Sequence, residues 1–283
     1  MTHPAKHSLG CYVNLGSLDK SSRTSDASFH AIREAGYDGV QFGDFPHPDR
    51  VHAAQTLGLG VCGSGRVNAP AEASPLAQKA VDSGFECLTV HVGWGMEDNL
   101  EVDQLAASVI EASRQHRIPL YVETHRATIL QDIWRAVQLV KRFPELEINC
   151  DFSHWYTGLE MVYGGFEKKV EFIRPVIDRM GFIHARIGNP GCIQVDIGDG
   201  DSATRPYVGH FCTVWTQVFA AYLSKPATHR FCFATELLGP EIYYARVFNG
   251  KEESNRWEQA LVLVKLAREC FRKAQHQAQT AVR

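Results

Sequence analysis

The sequence predicts an α/β fold: a single-domain (β/α)8 TIM barrel that spans residues 1–283. Short apolar runs alternate with amphipathic helical patterns eight times, and no linker or change in composition separates them. Strict alternation implies parallel strands with helices outside, and eight repeats imply closure into a barrel, which usually takes about 250 residues. An open doubly wound sheet is the alternative, but residues 14–18 after the first strand show no Gly-rich nucleotide fingerprint.

Eight apolar runs are predicted strands because each is short and is followed by a turn or a helical pattern. They cover residues 9–15, 38–43, 60–63, 86–92, 119–123, 146–150, 181–187 and 230–236. Helices are predicted between and after these runs, where apolar residues recur every three to four positions and Gly36, Gly58 and Gly84 provide stops. They cover residues 26–36, 49–57, 71–83, 100–116, 130–143, 166–180, 207–223 and 257–275.

Charge, hydropathy and cysteine usage restrict the partners and the compartment. The net charge is −3, whereas a nucleic-acid-binding domain usually has a basic face. Residues 1–9 contain no apolar core of a signal peptide, and no apolar run approaches the roughly 20 residues of a membrane span. We therefore expect a cytoplasmic protein with no nucleic-acid or membrane partner. Buried, reduced thiols are expected at the cysteines of the predicted strands: Cys11, Cys62, Cys87, Cys150 and Cys232.

Ligand-type side chains end four successive predicted strands. In TIM barrels the active site lies at the carboxyl ends of the strands, where the fifth to eighth runs place Glu123, Asp151, His184 and Glu236. Each has an ordinary alternative when it is taken alone: a glutamate at a strand end is often exposed, and His184 could be a core histidine. Four such residues on consecutive strands favour a shared site.

A divalent cation would explain this quartet. Three carboxylates at one site repel one another and raise each other's pKa unless a cation neutralises them. Carboxylates with one imidazole suit Mn²⁺, Mg²⁺ or Co²⁺, whereas zinc more often binds thiolates or several histidines. We expect one ion, with Mn²⁺ as the first choice and Mg²⁺, Co²⁺ and Zn²⁺ as alternatives. His91 and His125 are predicted to lie at the same rim, and for each of them a role in substrate contact and a role in ordinary packing are equal alternatives.

Five segments give the chain a recognisable resemblance. They are VETHR at 122–126, DFSHW at 151–155, HARIG at 184–188, TELLGP at 235–240 and NRWEQA at 255–260. Over nearly its whole length the chain resembles the xylose-isomerase-like TIM-barrel superfamily. That group includes sugar isomerases and epimerases, inosose dehydratases, hydroxypyruvate isomerases and apurinic endonucleases.

The resemblance implies roles for the matching residues. The quartet would bind one divalent metal, with Glu123 and Glu236 moving the proton. His154 and Arg186 would contact substrate oxygens. Apart from the resemblance, the positions of His91 and His125 at the rim make them candidates for substrate contact, and Trp155 is a plausible wall for a sugar ring. The arginine of the epimerases usually lies further along the loop, and residues 189–201 match no familiar pattern, so this segment is expected to help select the substrate.

The chemistry expected from this set is proton abstraction next to a carbonyl, through an enediolate that the metal stabilises. Return of the proton gives epimerisation or isomerisation, and departure of a β-hydroxyl gives dehydration, as in an inosose-type dehydratase or lyase. The substrate is expected to be a sugar, polyol or keto acid. A homodimer or homotetramer is expected because relatives often form them.

Two other functions have weaker support. An apurinic-endonuclease-like phosphodiesterase needs further histidines on the second and third strands, where this chain has Gln41 and Cys62. It also needs Asp-x-His after the seventh strand, but Gly198 replaces that histidine. A barrel that binds a ligand without catalysis would be expected to lack at least one member of the quartet, which is complete here.

Overall fold

Eight parallel strands form a closed barrel in chain order in the structure, a computed structural model that describes residues 7–226 and 229–281. Strands β1 to β8 are Leu9–Asn14, Gly39–Phe42, Gly60–Val67, Leu88–Val92, Leu120–Glu123, Ile148–Cys150, Met180–Ala185 and Phe231–Thr235. Pairing of β1 with β8, from Leu9 opposite Phe231 to Val13 opposite Thr235, closes the barrel. The predicted fold class is confirmed.

Helices surround the barrel and cover the outward-facing apolar side chains of its strands. Helices α1 to α11 are Lys20–Thr24, Ala27–Glu34, Pro48–Thr56, Ala73–Asp82, Asn99–His116, Ile133–Arg142, Phe152–Gly158, Phe166–Phe172, Arg174–Ile177, Pro206–Leu223 and Arg256–Ala281. Within the described ranges, none of them is both long enough and apolar enough to cross a bilayer.

Some elements differ from the sequence prediction. The predicted helix 166–180 is two helices, α8 and α9, with Pro175 in the first turn of α9, where its missing N–H removes no helical hydrogen bond. Helix α7 follows Asp151 directly and was not predicted. A short hairpin of β9, Val247–Phe248, and β10, Lys251–Glu252, lies between β8 and α11. Two-residue strands are too short to produce a periodic pattern.

Aromatic side chains and thiols fill the barrel below the site. Tyr12, Tyr121 and Phe182 are buried in one cluster with thiols that include Cys62. A Cβ built on Gly39 would lie 2.2 Å from the Tyr12 ring, so glycine is required beside it. The five cysteines predicted in strands are buried and free, as expected. Since side chains alternate along a strand, the inward residues two positions after this layer face the carboxyl end of the barrel.

Candidate active site

The four predicted ligand residues meet at the carboxyl end of the barrel. Glu123 is the last residue of β5, Asp151 follows β6, His184 lies near the end of β7, and Glu236 follows β8. Each offers a donor atom, and these atoms all lie within 4.8 Å of one another. The side chain of Glu236 is 12% exposed, whereas the other three are at most 2% exposed. Glu236 is therefore the member nearest to solvent.

One nitrogen of His184 lies close to carboxylate oxygens of both glutamates in the quartet. Its Nδ1 lies 2.9 Å from Oε2 of Glu123 and 3.5 Å from Oε2 of Glu236. Its other nitrogen, Nε2, lies 3.0 Å from Oε1 of Gln41, which can accept its hydrogen. That hydrogen bond turns Nδ1 towards the carboxylates, as in metal-binding imidazoles, although Nδ2 of Asn149 also lies 2.9 Å from Nδ1.

Neutral side chains that the sequence analysis missed orient the carboxylates. Asn14 donates to Oε1 of Glu236 at 3.0 Å, and Asn149 donates to Oε2 of Glu123 at 3.1 Å. Gln41, fully buried, donates to Thr89 at 3.1 Å. A polar residue at an inward position of an otherwise apolar strand is the sequence signal that could have identified this network.

The donor set fits a divalent cation. Three carboxylates and an imidazole from four strands offer mostly oxygen ligands, which suit Mn²⁺, Mg²⁺ or Co²⁺. Gln41 accepts a hydrogen bond from His184, and Asn14 and Asn149 donate to the two glutamates, so that ligand groups are held in place as is common around metal sites. Cys150 packs in the outer apolar core, consistent with its exclusion as a ligand.

Arg186 lies against two members of the quartet. Its Nη2 donates to Oδ2 of Asp151 and, at 2.9 Å, to Oε2 of Glu236. The side chain is only 1% exposed, and in the described part of the chain its Nε and Nη1 have no hydrogen-bond partner. The guanidinium thus satisfies one oxygen of each carboxylate while two of its own nitrogens stay available.

The pKa values in the quartet shift in different directions. Burial would raise the pKa of Glu123, but the imidazoles of His184 and His91 outweigh it and hold that pKa well below its usual range. Burial raises the pKa of Glu236, although His184 and Arg186 oppose the shift. Burial would lower the pKa of His184, yet Glu236 and Glu123 raise it to about 9. Glu236 is therefore the glutamate with the greater affinity for a proton.

Three imidazoles form a row beside the quartet. The His125 ring lies 4.3 Å from the His91 ring and 3.9 Å from the His154 ring, centroid to centroid. His91 Nε2 is 3.3 Å from Oε1 of Glu123. His154 is buried, and among the described residues neither of its ring nitrogens has a hydrogen-bond partner, although Nε2 is 3.4 Å from Oδ2 of Asp151. The structure therefore brings the predicted substrate-contacting histidines to the site.

His91, Glu123 and His125 also form a second group that could hold an ion. However, Nδ1 of His125 contacts the carbonyl oxygen of Arg126, and Nε2 lies 3.3 Å from the Tyr244 hydroxyl. Both nitrogens are thus engaged by protein groups. This arrangement favours one ion, at the quartet.

Tyr244 covers the site and was missed by the sequence analysis. It follows β8 and extends over the rim to His125, and its ring centroid lies 4.4 Å from the guanidinium carbon of Arg186. The predicted selectivity segment reaches the same region, because Gln194 makes two 3.0 Å hydrogen bonds to the backbone of Leu238. No periodic pattern identifies Tyr244, since it lies in an irregular segment.

The suggestion that Trp155 forms a wall for a sugar ring is wrong. Trp155 is fully buried in the outer apolar core, and its indole nitrogen donates to the carbonyl of Leu130 at 2.8 Å. It lies within α7, where it is one of the buried residues. The missed helix explains the error.

Comparison with known proteins adds the fold family. No protein-family model matches the chain, and no curated protein matches it. Solved structures do match, including an L-ribulose 3-epimerase with a TM-score of 0.62 and 12% identity, over 96% of this chain and 98% of that protein. The chain has the xylose isomerase-like TIM-barrel fold.

Other proteins with the xylose isomerase-like fold differ in their described activity. A probable 3-DHS dehydratase, AsbF of Bacillus anthracis, has a TM-score of 0.56 and 12% identity over 91% of this chain and 97% of that one. A xylose isomerase-like protein from Mycobacterium smegmatis, in complex with magnesium, has a TM-score of 0.53 and 15% identity, over 92% and 98%. At such identities the likeness establishes the fold, and the reaction has to be inferred from the site.

Proposed function

We propose that the chain is a divalent-metal-dependent isomerase or epimerase of a sugar or keto-polyol, acting by proton abstraction next to a carbonyl. The observation that carries this proposal is the convergence of Glu123, Asp151, His184 and Glu236, whose donor atoms lie within 4.8 Å of one another. Two of the four are glutamates that approach the same His184 nitrogen. Two carboxylates at one centre can remove a proton and return it.

A divalent cation bound by the quartet would supply a Lewis acid for the substrate carbonyl. Mn²⁺ is the first choice for the oxygen-rich donor set, with Mg²⁺, Co²⁺ and Zn²⁺ as alternatives. The likeness to a barrel of the same fold in complex with magnesium supports a divalent ion.

We assign the base to Glu236; Glu123, whose pKa is held low, would return a proton only after receiving one from His91, whose Nε2 lies 3.3 Å from its Oε1. Glu236 is the most exposed of the four, and burial raises its pKa, so it is the carboxylate better placed to accept a proton from a bound substrate. Glu123 is held by Asn149 and His184 deeper in the barrel. His154 and Arg186 offer unpaired nitrogens that could donate to substrate oxygens.

Dehydration by the same residues is the second candidate. Its support is the likeness in fold to a probable dehydratase, together with the row of histidines that could protonate a departing hydroxyl. Both reactions start with the same proton abstraction. Nuclear magnetic resonance of the products separates them, because dehydration yields an alkene or enol whereas epimerisation retains every hydroxyl.

Replacement of Glu236 by Gln tests the proposal. A panel of ketoses and keto-polyols in D₂O with Mn²⁺ should show deuterium uptake at carbon for the wild-type protein. Loss of the general base should reduce this uptake by about 100- to 10,000-fold, with the fold retained by circular dichroism. The matched control Glu111→Gln removes an exposed carboxylate of α5 and should retain full uptake. Near-normal exchange in Glu236→Gln would contradict the assignment.

A further inference from the structure

Unpaired nitrogens of a buried guanidinium indicate what the site binds. Arg186 uses Nη2 for Asp151 and Glu236, whereas Nε and Nη1 have no hydrogen-bond partner in the described ranges. Buried donors without partners are unfavourable, and native structures nearly always satisfy them. Ligand oxygens at this guanidinium would remove the penalty.

Two further arginines, Arg126 and Arg66, contact residues around the site. Arg126 and Arg186 both approach the Tyr244 ring, with guanidinium carbons 5.5 and 4.4 Å from its centroid. On the other side of the mouth, Nη2 of Arg66 lies 3.4 Å from Nδ1 of His91. Two guanidinium groups that contact one aromatic ring can both contribute to the binding of an anion.

The charge balance of the site leads to the same conclusion. With neutral His184, the three carboxylates of the quartet are balanced by a divalent cation and by Arg186. Glu97 offsets part of the charge of Arg66, whereas Arg126, which lies over the Tyr244 ring, has no salt bridge within the described ranges. A neutral sugar would leave the charge of Arg126 unpaired, whereas an anionic substrate would neutralise it.

We infer that the substrate carries a carboxylate, which Arg186 binds together with Arg126, so that the substrate class is a keto acid or sugar acid. This inference rests on the proposed function of the same site. Because Nη2 is already engaged, a carboxylate would accept one charge-assisted hydrogen bond from Nη1 or Nε of Arg186 and a second one from Arg126. A phosphate ester is less suited, because phosphate sites usually add backbone amides of a Gly-rich loop, and the sequence shows no such loop.

Three compounds that differ only at carbon 6 test this inference: D-fructose, D-fructuronate and D-fructose 6-phosphate. Each is titrated into the Mn²⁺-loaded protein by calorimetry. Charge-assisted hydrogen bonds should make D-fructuronate bind at least about tenfold more tightly than D-fructose. Equal affinities, tightest binding of the phosphate ester, or no binding of any of the three would overturn the inference.

Two variants link the preference to the arginines. Arg126→Gln removes one charge, and Arg186→Lys keeps the charge beside Asp151 and Glu236 but loses the planar fork. Each should reduce the ratio of D-fructuronate affinity to D-fructose affinity severalfold, and Arg126→Gln should leave D-fructose binding unchanged. Arg142→Gln, which removes a half-exposed arginine paired with Asp103, is the matched control and should behave as wild type. Wild-type preference in both test variants would overturn the inference.

Failure of this inference differs from failure of the proposed function. If only the carboxylate is wrong, Mn²⁺ binding and deuterium exchange persist, and the three compounds lose their ranking. If the proposed function is wrong, Mn²⁺ does not bind the quartet or no compound exchanges its proton, even where D-fructuronate binds tightly.

Discussion

The two halves of the barrel rim carry different chemistry. Strands β5 to β8 end in the charged quartet and continue to Arg186, whereas β1, β2 and β4 contribute the neutral side chains Asn14, Gln41 and Thr89. Asn14 orients Glu236 through a hydrogen bond, and Gln41 orients His184 in the same way. The quartet and Arg186 thus come from one half, and the other half mainly orients them through neutral side chains; the exceptions are Asn149 of β6, which donates to Glu123, and His91 of β4, which faces Glu123.

The largest change in stability is expected from Arg186→Met, in the half of the rim that carries the charged residues. It leaves two buried carboxylates without their cation, and breaking a buried pair in this way costs about 3–5 kcal/mol. Urea unfolding of the metal-free protein should show this loss, and saturating Mn²⁺ should recover more stability than in wild type, because no guanidinium competes for the carboxylates.

Arg142→Met is the control for that experiment. Its partner is the half-exposed Asp103, so its loss should change the free energy of unfolding by at most about 1 kcal/mol. Equal stability of the two variants would mean that Arg186 does not pair with the quartet in the metal-free protein.

A smaller effect is expected on the neutral side, from Gln41→Met. The substitution keeps the volume but removes the acceptor for His184 Nε2, and loss of such a partner lowers metal affinity by about 10- to 100-fold. Calorimetric titration with Mn²⁺ measures the change. Gln78→Met, on the exposed side of α4, should keep wild-type affinity. Unchanged Mn²⁺ binding in Gln41→Met would show that the neutral half does not orient the charged half.

The smallest change in stability and exchange is expected at Tyr244, which covers the site. Tyr244→Phe loses one half-buried hydrogen bond to His125 and keeps the ring over Arg186, so stability should fall by about 0.5–1.5 kcal/mol. Deuterium exchange should stay within about twofold of wild type. Tyr243→Phe, with a side chain that is 93% exposed, is the control. A large loss of exchange in Tyr244→Phe would instead give its hydroxyl a role in the reaction.

Local patterns were sufficient for the barrel and for the quartet. Alternation of strands and helices is a property of neighbouring residues, and eight repeats leave few ways to arrange a parallel sheet. Because every parallel strand of a barrel ends at the same rim, Glu123 and Glu236 could be placed together although they lie far apart in sequence. The same reasoning identified the buried cysteines.

Contacts between distant strands depended on the tertiary structure. Which neutral residue faces which ligand follows from the register of neighbouring strands, such as Asn14 opposite Gln41, and no local pattern encodes that register. Helix α7 turned Trp155 into the core, and an irregular segment brought Tyr244 over the rim. The sequence by itself determined the fold and the set of charged groups, since both follow from strand periodicity. Only the closed barrel decided how Arg186 pairs with that set, because burial and distance exist only once the strands meet.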